Sequence, residues 1–402
     1  MPTVVPRSDR SGAYHLGMSA VPSAAADLAL REVTKRYPGQ EGPAVDGLTL
    51  DVAAGEVCVL VGPSGCGKTT ALKMINRLIE PTAGTITIDG HDVRSLAPPV
   101  LRRGIGYVIQ QVGLLPHLTV AANVATVPRL LGWDGRRTHE RVEEMLDLIG
   151  LPVGAYGHRY PSELSGGQQQ RIGLARALAA DPPLMLMDEP FSAVDPITRD
   201  RLQNDFLRLH RTVAKTVVFV THDIDEAVKM AARIAVMRSG RLVQYATPAE
   251  LLANPADAFV ADFVGADRAL KRLALTRLIE LEMTEAPVVT ADESVEIVLA
   301  RVRTGDLTPI DGYLLLVDGA GRPRGWLVAD RLEPGGKIPA TGGRVEPVLE
   351  RLTTLRDALS AMLDAGARAT VVVDEGGATC GIVELDTIVH AMATAPAETV
   401  SG

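Results

Sequence analysis

No stretch of this 402-residue chain approaches the roughly 18 consecutive apolar residues that a membrane-spanning helix needs. The longest candidate, around 227–237, is broken by Lys229 and Arg233. Any role at a membrane is therefore expected to run through a partner. Cysteine is scarce: Cys58, Cys66 and Cys380 stand at no metal-ligand spacing and make no paired framework, which fits a reducing compartment and small apolar fillers. Residues 1–27 lack the continuous apolar segment of a secretory signal and read as a disordered leader. A basic excess is missing too. Net charge is −8, and the part beyond residue 265 holds 14 basic against 21 acidic side chains, so nucleic acid is not an expected partner.

From about 28 to 240, short apolar runs alternate with helical patterns, as in a parallel sheet flanked by helices. The runs at 57–61, 184–187, 217–220 and 234–237 are continuously apolar, as strands buried on both faces must be. Between about 112 and 180 the periodicity turns helical, with Val142, Met145, Leu146 and Ile149 at three- and four-residue spacing. A stretch from about 241 reads as a connection with helical segments, ending in a linker at 266–285.

The tail repeats itself. Pro287, Val288, Ser294, Val295 and Leu299 recur sixty positions on as Pro347, Val348, Thr354, Leu355 and Leu359. Val317, Asp318, Gly325 and Asp330 recur as Val373, Asp374, Gly381 and Asp386. Each copy predicts a lead-in strand, an amphipathic helix, a strand ending in Asp, a Gly turn, a second strand and a second helix. Two such units bury one another's sheets.

Three motifs carry chemistry. The first is GPSGCGKTT at 62–70, between an apolar strand and a helix whose apolar face is Leu72, Ile75 and Ile79. Glycines there let backbone N–H groups curl around a phosphate, and the helix start adds partial positive charge. Gly62, Pro63, Ser64, Gly65, Cys66, Gly67, Lys68, Thr69 and Thr70 are the expected nucleotide cradle. Lys68 reaches the β- and γ-phosphates and the Thr69 hydroxyl is a Mg²⁺ ligand. The second is LMLMDEP at 184–190, a strand running into two carboxylates. Asp188 is expected to hold Mg²⁺, and Glu189 to orient and deprotonate water. The third is YPSELSGGQQQR at 160–171, in which Ser165 can cap a helix beginning at Gly166.

With LSGGQ the chain resembles the ABC transporter ATPases over about residues 28–265. The fold implied is α/β: a P-loop cassette with a mixed sheet core and a helical subdomain at about 112–180. The resemblance further implies that Ser165, Gly166, Gly167 and Gln168 contact the γ-phosphate of ATP bound to a second copy, in a head-to-tail homodimer. It makes Tyr37 the adenine-stacking aromatic, Gln110 a sensor of Mg²⁺ and water, and Ser192, Ala193, Val194 and Asp195 a loop crossing the dimer. His222 becomes the switch histidine at the γ-phosphate. The segment opening at Gln110 is where, in the importers, a permease helix docks.

One cassette without membrane helices resembles an importer subunit. The ADRALKRL at 266–273 and the tandem repeat resemble the paired CBS domains, at about 286–335 and 345–395, of glycine betaine, choline and carnitine importers. The implied function is ATP hydrolysis that energises uptake of a quaternary-amine osmoprotectant. The partners implied are a membrane permease and, through it, an extracytoplasmic substrate-binding protein. The implied place is the cytoplasmic face of the inner membrane. An adenine-based signal at the CBS pair is a further expectation, although Val328 and Glu384 stand where adenosine-binding examples usually carry a hydroxyl, and Arg331 and Thr387 where they carry an acidic residue. The rival readings are an importer ATPase for an amino acid or polyamine, and a regulatory ATP-binding protein without transport.

Overall fold

The structure is a computed structural model and describes residues 24–109, 113–192 and 194–393. The chain packs as two units: one takes the described residues to Asp223 plus Met230–Tyr245, the other Ile224–Lys229 plus the chain from Ala246.

In the first unit the strands are β1 (Leu28–Lys35), β2 (Val45–Val52), β3 (Val57–Val61), β4 (Ala83–Ile88), β5 (His91–Asp92), β6 (Ile105–Val108), β7 (Leu184–Asp188), β8 (Thr216–Val220), β9 (Arg233–Arg238) and β10 (Arg241–Ala246). The main sheet has the order β10-β9-β3-β8-β7-β6, and its pairs from β9 to β6 are parallel. Every residue of β3, β7 and β8 is buried, which is why these segments are continuously apolar. The sequence strands at 57–61, 184–187, 217–220 and 234–237 all lie in this sheet. The stretch from 241, read as connection, instead begins as β10: Arg241 to Ala246 alternate enough β-forming side chains to add an edge strand.

A second, antiparallel sheet, β2-β1-β4-β5, covers the core from the other side. Leu28, Leu30, Leu48 and Leu50 from this sheet share one apolar cluster with Leu60, Leu186 and Val218 of the main sheet. Leu72, Met74 and Ile75 of the helix Lys68–Ile75 belong to the same cluster. Between β6 and β7 lie five α-helices, from Val120–Val124 to Gly166–Leu178. The longest, Gly135–Leu148, buries Val142, Met145 and Leu146 as its spacing predicts.

In the second unit the repeat becomes two three-stranded sheets. The first is β11 (Val288–Thr290), β12 (Tyr313–Val317) and β13 (Pro323–Val328); the second is β14 (Val348–Glu350), β15 (Ala369–Val373) and β16 (Thr379–Glu384). Both have a parallel lead-in strand and an antiparallel hairpin, with Val288 opposite Leu315 and Val348 opposite Val371. Each hairpin turn is tied by its aspartate. Asp318 accepts from the Ala320 and Arg322 N–H groups, and Asp374 from those of Gly376 and Ala378, all at 2.8–3.0 Å.

The copies interlock through Leu315, Val317, Val371, Val373 and Ile382. Their lead-in segments are exchanged: Thr284 and Ile382 bond each other's backbone at 2.9 Å, and Trp326 and Gly343 do so at 2.8 and 2.9 Å. One expectation fails. The second helix of the first copy is only the 3₁₀ turn Ala329–Arg331, whereas the second copy has the full helix Leu385–Ala393. Pro334, Gly335 and Gly336 come after that turn and stop helix propagation. The segment read as linker carries the helix Arg268–Leu273, whose Leu273 is buried in the core of the second copy.

Candidate nucleotide-binding and hydrolysis site

Parallel registry gathers the chemistry. Leu60 of β3 and Asp188 of β7 both pair with Val220 of β8, so the C-terminal ends of three adjacent strands lie level. The three segments that leave these strands therefore emerge at one sheet edge, where α/β folds place ligands. After β3 comes the loop 62–67, after β7 comes Glu189, and after β8 come Thr221 and His222.

The loop turns through glycines that nothing else can replace. At Gly62, φ is 146° and a Cβ would lie 2.2 Å from the Met237 carbonyl oxygen. At Gly67, φ is 106° and a Cβ would lie 2.4 Å from the Ala44 carbonyl oxygen. The helix Lys68–Ile75 then starts with no side-chain cap and no acid in its first turn, so its leading N–H groups and dipole are unopposed. Lys68 is buried, and its ammonium donates to the carbonyls of Gly62 (2.7 Å) and Pro63 (3.0 Å). Pro63, Ser64 and Gly65 are exposed, while Cys66 is buried, its sulfur 3.8 Å from the Lys68 ammonium.

The Thr69 hydroxyl donates to Asp188 Oδ1 at 3.1 Å, joining loop and acidic strand end directly. Burial pushes the Asp188 carboxyl above the ordinary carboxylate range; the Thr69 hydrogen bond opposes this, and the neighbouring Glu189 charge adds to it. Glu189 has φ of 43°, uncommon for a residue with a Cβ, and is held there by its N–H to the Val220 carbonyl at 2.9 Å. Its carbonyl accepts from the Ser192 N–H and hydroxyl. Its carboxylate lies 3.2 Å from His222 Nδ1, and His222 is largely exposed. Thr221 Oγ1 accepts from the Asp223 N–H at 3.1 Å and shapes the turn behind the histidine.

The LSGGQ segment forms a separate element. Ser165 caps the helix Gly166–Leu178 by a capping box: its Oγ accepts from the Gln168 N–H at 3.3 Å, and its own N–H donates to Gln168 Oε1 at 2.9 Å. Space around Gly166 is open, whereas a Cβ on Gly167 would meet Thr198 Cγ2 at 3.0 Å. The signature helix thus starts beside the start of the helix Pro196–Val213, capped by Asp195, which accepts from the Thr198 N–H at 3.1 Å. A hydrogen bond from the Thr198 side chain, together with that from its N–H, holds the Asp195 carboxyl below its usual range. Tyr37 sits after β1, half-buried, with the Lys35 ammonium 5.2 Å from its ring centre. Gln110 and Ala193 lie outside the described residues, as do residues 1–23 of the expected leader.

One residue that sequence reasoning missed shapes the segment after Gln110. Asn123, fully buried, accepts from the Leu115 N–H and donates to the carbonyls of Leu115, Leu118 and Thr119 at 2.8–3.1 Å. An Asn flanked by apolar residues at 120–125 was the only signal for it.

Thr69 and Asp188 offer hard oxygen donors in contact with one another beside a phosphate-type loop, a set that suits Mg²⁺, which keeps most of its waters and takes few protein ligands. Among the described residues no cluster of His, Cys, Asp and Glu offers a rival metal site.

A glycine cradle at a helix start, a strand ending in paired acids, a histidine on the same edge and an inserted helical segment with a capped Ser-Gly-Gly helix define a P-loop nucleoside triphosphatase of the ATP-binding cassette type. Comparison with known proteins agrees: residues 45–192 match the ABC transporter family model, and 345–394 match the CBS domain model. The chain is 45% identical over 373 residues to an osmoprotectant import ATP-binding protein of Salmonella typhimurium, covering 90% of this chain and 95% of that one. It is also 45% identical to a glycine betaine/carnitine/choline transport ATP-binding protein of Bacillus subtilis, covering 89% and 93%. A solved structure from Clostridium perfringens, cbiO1, part of an ABC transporter complex, matches in fold with a TM-score of 0.54, 23% identity, and coverage of 62% of this chain and 94% of that one. The chain belongs to the ABC transporter family of ATP-binding proteins and is an ABC-type ATPase with a C-terminal CBS domain. The resemblance and fold class expected from the sequence hold. Among the described residues, no helix is long and apolar enough to cross a membrane.

Proposed function

We propose that this ATPase energises import of a quaternary-amine osmoprotectant of the glycine betaine type through a separate membrane permease, which it joins at the cytoplasmic face of the inner membrane. Two copies close head to tail on two ATP molecules, and an extracytoplasmic binding protein delivers solute to the permease. The cargo reading is supported by relatives aligned over nearly the whole chain, tail included. We assign 28–265 to the ATPase domain, 266–285 to the linker and 286–395 to the CBS pair.

The observation that carries the hydrolytic reading is the Glu189 carboxylate, 3.2 Å from His222 and adjoining the Thr69–Asp188 pair. In this reading residues 62–70 wrap the phosphates, and Lys68 exchanges the carbonyls of Gly62 and Pro63 for β- and γ-phosphate oxygens. Thr69 and Asp188, with Gln110, hold Mg²⁺, which when bound supplies positive charge against those oxygens. Glu189 accepts a proton from water as the water oxygen bonds to the γ-phosphorus. The bond from that phosphorus to the β–γ bridging oxygen breaks, releasing ADP and phosphate. His222 holds Glu189 in place and faces the γ-phosphate. Tyr37 stacks on adenine, and Ser165, Gly166, Gly167, Gln168 and Asp195 complete the site of the other copy. Catalysis is mainly positioning, so Glu189→Gln is expected to cut hydrolysis by about 10²- to 10⁴-fold while ATP still binds. An unchanged rate would refute the assignment.

The tail is read as the regulator. A cavity of about 570 Å³ in the tail, between the first copy and the segment that follows it, is lined by Tyr313, Trp326, Arg331 and Arg344. Aromatic faces beside guanidinium groups support an adenine-based anionic signal there. The cargo is tested by uptake of radiolabelled glycine betaine into vesicles holding the reconstituted complex. No uptake of it, with uptake of another solute, would move the reading to that solute.

A further inference from the structure

The helix Arg268–Leu273 joins two things that the hydrolytic reading leaves unconnected. At its C-terminal end Leu273 is buried with Leu355, Met362 and Ile388 in the core of the second tail copy. Lys271, two residues earlier, is also buried but serves a different set of partners. Its ammonium donates to the Val264 carbonyl at 2.8 Å, and lies 3.0 Å from Asp267 Oδ1 and 3.3 Å from Asp225 Oδ1. A buried ammonium is costly unless carbonyls and carboxylates surround it, so these partners are held as firmly as they hold the lysine. The site is also built around a glycine. A Cβ on Gly265, whose φ is 97°, would lie 2.7 Å from Asp267 Oδ1 and 3.4 Å from the Lys271 ammonium.

Asp225 gives the arrangement its reach. It opens the helix Ile224–Met230, three residues after His222. Ile224–Lys229 packs with the tail's unit, whereas His222 stays with the sheet edge beside Glu189. The chain therefore passes from one unit to the other immediately after the histidine, and Lys271 grips it there.

We propose that Lys271 is a positioning residue for ATP hydrolysis. By holding Asp225 it constrains the backbone that carries His222, and through Leu273 that hold depends on the packing of the second tail copy. The tail thereby acts on hydrolysis at the histidine and not at nucleotide binding. This rests on the reading of Glu189 and His222 as the hydrolytic pair.

The test uses the full-length protein. Asp225 is largely exposed, so Asp225→Asn strips the charge from the link at little risk to folding and leaves Lys271 its bonds to Val264 and Asp267. Links of this kind carry coupling that corresponds to about 2- to 30-fold in rate. The expected result is a change in kcat of that size with KM for ATP unchanged, and faster amide exchange over residues 221–230. Leu273→Ala is expected to produce the same two effects alone and no further effect when combined with Asp225→Asn. Unaltered kcat and exchange in Asp225→Asn, or effects of the two substitutions that simply add, overturn the proposal. His222→Ala, measured alongside, separates the layers. Wild-type hydrolysis in that variant removes the underlying pair, while an inactive His222→Ala beside an indifferent Asp225→Asn removes only the role of Lys271.

Discussion

At the residue scale, the phosphate loop was readable because its residues work side by side, whereas Tyr37, Ser165 and Asp195 came only from the family resemblance. A phosphate loop needs its glycines, lysine and threonine in consecutive positions, so Gly62 to Thr69 announce themselves in one line of sequence. Lys271 and Asn123 did not, because what each does is set by partners that only folding brings near. The three cysteines illustrate the same divide. All read alike as fillers, yet burial pushes the Cys58 thiol up to about 12, while Cys380 is exposed. Burial disfavours the thiolate, so at pH 8 Cys58 stays a protonated thiol. Iodoacetamide at that pH is expected to label Cys380 in the native protein and Cys58 only after denaturation, as peptide mass spectrometry will show. Native labelling of Cys58 ahead of Cys380 would contradict this.

At the element scale, the parallel strands β3, β7, β8 and β9 were legible to within a residue or two, because a strand covered on both faces has no choice but to be apolar, whereas β6 was not read. The edge strand β10 was not, since four of its six residues are only partly buried and its pattern is mixed. The missing second helix of the first copy shows the reverse error: the repeat implied it, but Pro334 and two glycines outweighed the likeness. Residues 115–119 are tied down by one side chain, Asn123. Asn123→Ala would leave the Leu115 N–H and the Leu118 carbonyl without the amide that serves them, and take one of two donors from the Leu115 and Thr119 carbonyls, at a cost of about 2–4 kcal/mol. The expected outcome is a lower denaturation midpoint and faster exchange over residues 113–119. A loss under about 0.5 kcal/mol would mean that water or a neighbour replaces the amide.

At the scale of the whole molecule, the duplication in the tail was visible as a recurrence, but the manner of its closure was not. The repeat pairs its sheets through a shared core and exchanged lead-in segments, so neither copy is complete alone. Ile382→Ala, at the centre of that core, is expected to cost about 2–5 kcal/mol. Amide exchange should rise over both β12–β13 and β15–β16; a rise in the second copy alone would show that the two fold independently. The mutual backbone bonds of Thr284 and Ile382 place the pair's incoming segment against its last strand. A fault at the way into the pair is therefore felt at its last strand, and the reverse.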